Sequence, residues 1–324
     1  MKRVRLRVVL DDPRRRYAPG DRVPGRVEAE VDEACTCSAL TVGLGWFTTG
    51  ECNEASATPA SRVLGRGTWR AGDRLSFPFD LALPAGPPSH RGRHFNVVWR
   101  VRAEAALDWA LDPEAVQRIE VAGPPATQGG LLSKGGSGCF EVGCALACLL
   151  VLAGVVFACF HGGRVRGGQV CWVTAFGVGA LVGSLWAVPR AFTYRWLGKV
   201  QVEAGPSPCP RGEELAVRIA IRPRRDLRPK EVRAALVAVE HSEKGSGKSK
   251  TTRAVEIAKC AARLDGPEAL RKGQESVFAG VLGIPADAAP SLEAGPHSVK
   301  WKLHVEVVFP VAADGEWDLD VAVA

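Results

Sequence analysis

The chain has 324 residues, 46% hydrophobic, 24% charged and 7% aromatic, a size for about two domains with cores of their own and a composition that is neither collagen-like nor disordered. Lys and Arg number 42 against 35 Asp and Glu, giving a formal charge of +7 and a pI near 9.0, a balance that brings nucleic acid and membranes forward as partners. The excess is local: 1–133 and 200–324 are close to neutral, whereas 134–199 carry Lys134, Arg164, Arg166, Arg190, Arg195 and Lys199 against Glu141 alone. Basic residues around apolar runs, rather than on a folded surface, argue against nucleic acid and for a membrane.

In chain order, the first 123 residues read as short strands cut by Pro and Gly turns. VRLRVVL at 4–10 and RVEAEV at 26–31 alternate polar and apolar residues. ALTVGLGWF at 39–47, RLSFPFDLAL at 74–83 and HFNVVWRVRAEAAL at 94–107 follow. No stretch holds an apolar period of 3.6 for three turns, so the region is expected to be all-β. Residues 124–138 read as a linker.

The segment 139–192 is different. Val142 to Phe160 and Val170 to Val188 are each uncharged and 19 residues long, about 28 Å as helix, near the roughly 30 Å hydrocarbon thickness. HGGRVRGGQ between them allows a tight reversal, and Trp172, Trp186 and Phe160 sit near the ends where interfacial rings are favoured. Gly179 and Gly183 make a GxxxG spacing suited to close helix packing. These features predict two transmembrane helices, about 142–160 and 170–188. With no apolar run before residue 142, a signal peptide is not expected. Two arginines in the turn against four basic residues on the flanks place both large domains on the cytoplasmic face.

The last region, 193–324, has the same character as the first, with the runs KVQVEA, ELAVRIAI, VRAALVAVE, SVFAGVLGI, VKWKLHVEVVF and WDLDVAVA. The likeness is measurable. Gly72 to Pro84 and Gly273 to Pro285 are both twelve residues, Phe77 and Phe278 both lie five after the glycine, and Ser89 to Trp99 and Ser291 to Trp301 are both ten. Equal spacings in the same order indicate an internal repeat.

The stretches YAPGDRVPGRVEAEV, FPFDLALPAGPPS with VVWRVRAEA, and FAGVLGIPADAAPS with VKWKLHVEVVFP resemble the arrestin-like superfamily. The resemblance covers about 1–123 and 193–324 and implies two immunoglobulin-like β-sandwiches in tandem. Its motifs are turn glycines, prolines and core aromatics. They fix no phosphate-sensing or receptor-contacting position, and typical members have a short hinge where this chain has about 66 residues.

Few residues suggest chemistry. Gly245-Ser-Gly-Lys-Ser249 lacks the first glycine of a phosphate-cradling loop, since position 242 is Ser, and is read as a hairpin tip. His90 and His94 in SHRGRH could share a metal only on a helix; Gly92 argues for a solvated loop. His161, His241, His297 and His304 are scattered. None of the ten cysteines forms a CxxC pair. Cys139, Cys144, Cys148, Cys159 and Cys171 lie in or beside the apolar runs, the other five in the domains, and all are expected reduced. Arg14, Arg15 and Arg16, with Arg222, Arg224 and Arg225, form basic turns able to meet anionic lipid or an acidic partner segment.

The expectation is a non-enzymatic, membrane-anchored arrestin-like adaptor without cofactor, metal, nucleic-acid partner or evident small-molecule substrate. It would capture protein partners by strand addition or in an inter-domain groove. Alternatives are an extracytoplasmic structural module, a subunit of a larger membrane complex, and an enzyme whose site is assembled in space.

Overall fold

The computed structural model describes residues 4–12, 14–108, 112–123, 130–136 and 192–324. The first nine strands are β1 (Val4–Leu10), β2 (Arg16–Tyr17), β3 (Arg22–Val31), β4 (Cys35–Gly50), β5 (Ser56–Trp69), β6 (Arg74–Ala82), β7 (His90–Arg91), β8 (Phe95–Leu107) and β9 (Glu114–Val121). The second nine are β10 (Gly130–Gly136), β11 (Lys199–Ser207), β12 (Glu214–Arg222), β13 (Glu231–Lys244), β14 (Thr251–Arg263), β15 (Ser276–Gly283), β16 (Leu292–Ala294), β17 (His297–Val308) and β18 (Gly315–Val321). In the first sandwich the sheet β1-β3-β6 packs on β2-β9-β8-β4-β5, with β7 also on β8. In the second, β10-β11-β12-β15 packs on β14-β13-β17-β16, with β18 also on β17. β10 comes from residues expected to be linker, yet pairs antiparallel with β11.

The strands follow from two-residue periodicity, since successive side chains face opposite sides of a sheet. In β8, Phe95, Val97, Trp99, Val101, Ala103 and Ala105 are buried, and the residues between them are only partly covered. In β17, Val299, Trp301, Leu303, Val305 and Val307 do the same. Each tryptophan ties its indole to a loop of its own sandwich. Trp99 Nε1 donates to the Pro87 carbonyl at 2.7 Å, and Trp301 Nε1 to that of Ala289 at 2.9 Å.

The repeat extends to hydrogen bonds. The Val121 N–H donates to Ser89 Oγ at 2.9 Å, and the Val323 N–H to Ser291 Oγ at 2.9 Å. Asp112 Oδ1 accepts from the Leu107 N–H, and Asp314 Oδ1 from the Phe309 N–H, both at 2.9 Å. Gly72 and Gly273 turn the chain before β6 and β15 at φ of 89° and 73°, which glycine adopts without steric cost.

The expected fold class is corrected here. The helical residues described are 192–197 and one 3₁₀ turn, Gly247–Ser249. Residues 192–197 make about 9 Å of helix, against the roughly 30 Å a membrane core requires. No helix among the described residues is long and apolar enough to cross a membrane. The architecture is therefore stated as all-β, without the two-helix hairpin. The transmembrane character, the two-span membrane partnership and the integral-membrane, cytoplasmic-face placement are withdrawn with it. The apolar runs 142–160 and 170–188, including Gly179 and Gly183, lie outside the described residues.

Candidate functional site

Polar chemistry gathers where the sandwiches meet. The first sandwich contributes the turn after β4, residues 51–55, and the turn between β7 and β8, residues 92–94. The second contributes the end of β13, the hairpin leading to β14, and the start of β17.

Asn53 stitches the first of these turns to β13. Its N–H donates to the Glu243 carbonyl at 2.7 Å. Its Nδ2 donates to the Gly245 carbonyl at 3.0 Å, and its Oδ1 accepts the Gly245 N–H at 2.9 Å. The Asn53 carbonyl faces His297 Nε2 at 2.9 Å, while His297 Nδ1 faces the Glu243 N–H at 3.2 Å. The Glu243 N–H can only donate, so Nδ1 is the acceptor and the ring proton sits on Nε2. Beside this stitch, Glu51 pairs with Arg253 at the surface, and that guanidinium holds the Glu51 carboxyl below its ordinary range.

The second stitch is a carboxylate. Glu240 is fully buried (0% exposed) and crosses from β13 to the β7–β8 turn. Its Oε1 accepts the His94 N–H at 2.6 Å, its Oε2 accepts the Arg93 N–H at 2.9 Å, and His90 Nε2 lies 3.3 Å from Oε2. A buried carboxylate is tolerable only when its lone pairs are engaged in this way. Gly92 is required by the close approach, because a Cβ there would meet Glu240 Oε2, His90 Nε2 and the Phe95 carbonyl. The Phe95 ring lies between two imidazoles, 5.0 Å from His90 and 5.2 Å from His297. Burial pulls the His90 pKa below its ordinary 6.5, opposed by the hydrogen bond and charge of Glu240.

The repeat explains how the carboxylate arose at this place. Thr48 sits opposite Val97 in the first sandwich, and Glu240 opposite Val299 in the second, each of those valines two residues before the core tryptophan. Both Thr48 and Glu240 are buried polar side chains. Thr48 bonds within its own turn, accepting the Ala55 N–H at 2.8 Å, whereas the longer Glu240 reaches the other domain.

Beside the clasp runs a groove of about 850 Å³ that spans the seam. Arg14, Arg15, Arg91 and Arg118 line it from the first sandwich and Arg211 from the second; Glu120 and Asp287 are its carboxylates. Glu120 is already engaged by Arg16 at 3.2 Å. Arg15 has a φ of 55°, a left-handed conformation unusual for a side chain of this size. It is held there by its own N–H on the Asp12 carbonyl at 3.3 Å and by the Glu120 N–H on its carbonyl at 2.8 Å. Strain of this kind concentrates at functional sites.

The two arginine turns are thus separated. Arg14 and Arg15 face the groove, and Arg16 pairs with Glu120. Arg222 donates to the Gly273 carbonyl at 2.9 Å, the Arg224 N–H to that of Trp196 at 2.8 Å, and the Arg225 guanidinium stacks 4.2 Å over the Trp196 ring. Arg225 lines a second cavity of about 500 Å³ with Phe192, Trp196, Leu227, Phe309 and Val311. The reading of His90 as a solvated loop residue is corrected: it is 5% exposed, because Glu240 and Phe95 enclose it. The tip at 245–249 is a single 3₁₀ turn in the β13–β14 hairpin. Among the described residues no cluster of three or more His, Cys, Asp or Glu is placed to hold a metal. Cys35, Cys37, Cys52, Cys209 and Cys260 are thiols rather than disulfides, and burial pushes the last four above their ordinary pKa.

No family model matches the sequence, and no curated protein matches it. Among solved structures, the chain is similar to Spo0M, a sporulation control protein from Bacillus subtilis, with a TM-score of 0.34 and 14% identity over 68% of this chain and 80% of that one.

Proposed function

We propose that the chain is a non-enzymatic, arrestin-like adaptor that captures an acidic segment of a partner protein in the groove across its domain seam. The observation that carries this reading is the groove itself: five arginines from two domains converge on about 850 Å³, against two carboxylates of which one is already paired. Guanidinium forks suit planar carboxylate and phosphate groups, and charge-assisted bonds to them contribute about 1.5–3 kcal/mol each. Of the groove's titratable groups other than arginine, His90 is spent on the clasp to Glu240 and Glu120 on Arg16, which favours binding over catalysis there. The arrestin-like part rests on stretches such as YAPGDRVPGRVEAEV and FAGVLGIPADAAPS and on the tandem sandwiches.

The test is fluorescence anisotropy with a labelled Glu/Asp-rich peptide and its phosphorylated form. Arg15→Gly removes the charge while keeping a residue suited to φ of 55°. Arg15→Gly and Arg118→Ala should each weaken binding about tenfold, with affinity falling as salt rises. Binding unchanged in both variants would refute the site.

A further inference from the structure

The cavity of about 500 Å³ beside Trp196 is lined from the second sandwich alone, and the capture of an acidic segment at the seam does not use it. It lies at the far end of β17: His297 starts that strand at the seam, and Phe309, just past its end, lines the cavity. Three segments wall it, namely residues 192–197 ahead of β11, the turn after β12 at 225–228, and the turn between β17 and β18 at 309–313. Each is pinned by its own hydrogen bonds. Tyr194 Oη donates to the Glu316 carbonyl and accepts the Glu316 N–H, both at 3.0 Å. Leu227 exchanges both backbone bonds with Leu270, at 3.0 and 2.8 Å. Asp314 Oδ1 holds the Phe309 N–H at 2.9 Å. The cavity is thus preformed, and its size falls within the roughly 300–1,000 Å³ of small-ligand sites.

The lining has two chemical characters. One is apolar, and part of it stands in water: Phe192 is 50% exposed and Val311 96% exposed. Large apolar side chains left exposed together mark a binding surface rather than a core. The other is cationic. Arg225 and Arg228 are exposed and line the same cavity, and among the described residues neither is in an ion pair. The carboxylate beside them, Asp226, already accepts the Lys272 N–H on Oδ1 at 2.7 Å. The Arg225 guanidinium and the Phe192 ring both pack on Trp196, at 4.2 and 5.8 Å. That leaves Leu227, Val311, Ala312 and Ala313 to meet a ligand, which favours a flexible chain over a flat ring. We infer that this cavity binds a monomeric amphipathic anion, a medium-chain fatty-acid carboxylate. Its chain lies against Leu227, Phe309 and Val311, and its carboxylate meets the guanidinium forks of Arg225 and Arg228.

The experiment is isothermal titration calorimetry on the full chain with octanoate, decanoate and decanol, each below the concentration at which it forms micelles. Decanoate should saturate one site and bind more tightly than octanoate, by about fourfold for each added CH₂. It should also bind about tenfold more tightly than decanol, which offers no charge to the arginines. Arg228→Gln should weaken decanoate about tenfold and leave decanol unchanged. Val311→Asp, at an exposed position that folding does not depend on, should weaken decanoate by placing a like charge in the lining. Arg118→Ala, which removes an arginine of the seam groove, should leave decanoate binding unaltered, so the two sites fail separately. Equal affinity for decanoate and decanol, no dependence on chain length, decanoate binding unchanged in both cavity variants, or its loss in Arg118→Ala overturns the proposal.

Discussion

Glu240 and Asn53 join two domains through bonds between residues 146 to 244 positions apart in the chain. Removing Glu240 leaves the half-buried Arg93 and His94 N–H groups without this acceptor. Glu240→Ala should therefore cost about 3–5 kcal/mol, read by urea unfolding. Gly92→Ala should cost about 1–3 kcal/mol, since a methyl group would have to displace the clasp. The His90 contribution depends on pH with a definite sign. Its folded pKa is depressed, so the neutral ring's stabilising share is present above 6.5 and is lost as pH falls through the folded value. The urea midpoint should drop on acidification below 6.5, and drop less in His90→Gln. None of this is readable locally. SHRGRH is polar in sequence and suggests a solvated loop, and only the fold brings Glu240 to it.

At the scale of elements, legibility tracks alternation and burial. β8 and β17 are evident in sequence because one face of each is wholly apolar and a tryptophan marks its middle. Trp99→Ala and Trp301→Ala should each cost about 3–5 kcal/mol by urea unfolding, reflecting the indoles' full burial and their bonds to Pro87 and Ala289. β5 is not legible in this way. It is a sheet edge, largely exposed, with Pro59, Gly65 and Gly67 inside it and three shifts of register against β4. Such interruptions suit an edge, where they discourage pairing with other chains, but they erase the strand pattern. β10 is hidden for a related reason: a Gly-rich stretch with the composition of a linker becomes the edge strand of the second sandwich.

At the scale of the molecule, the repeat is legible because turn grammar recurs at equal spacing, and the structure carries it into matched hydrogen bonds. The seam is not, because it depends on residues where the two copies differ: Thr48 against Glu240, Phe95 against His297. The arginines are visible as clusters, but which of them share a surface is decided by topology. The direct measurement of where a partner binds is hydrogen exchange on the full chain with and without a saturating acidic peptide. Capture in the groove predicts added protection at residues 14–17, 89–98 and 287–290, which border it. Protection confined instead to the free edges, β5 and β14, with these segments unchanged, would contradict it.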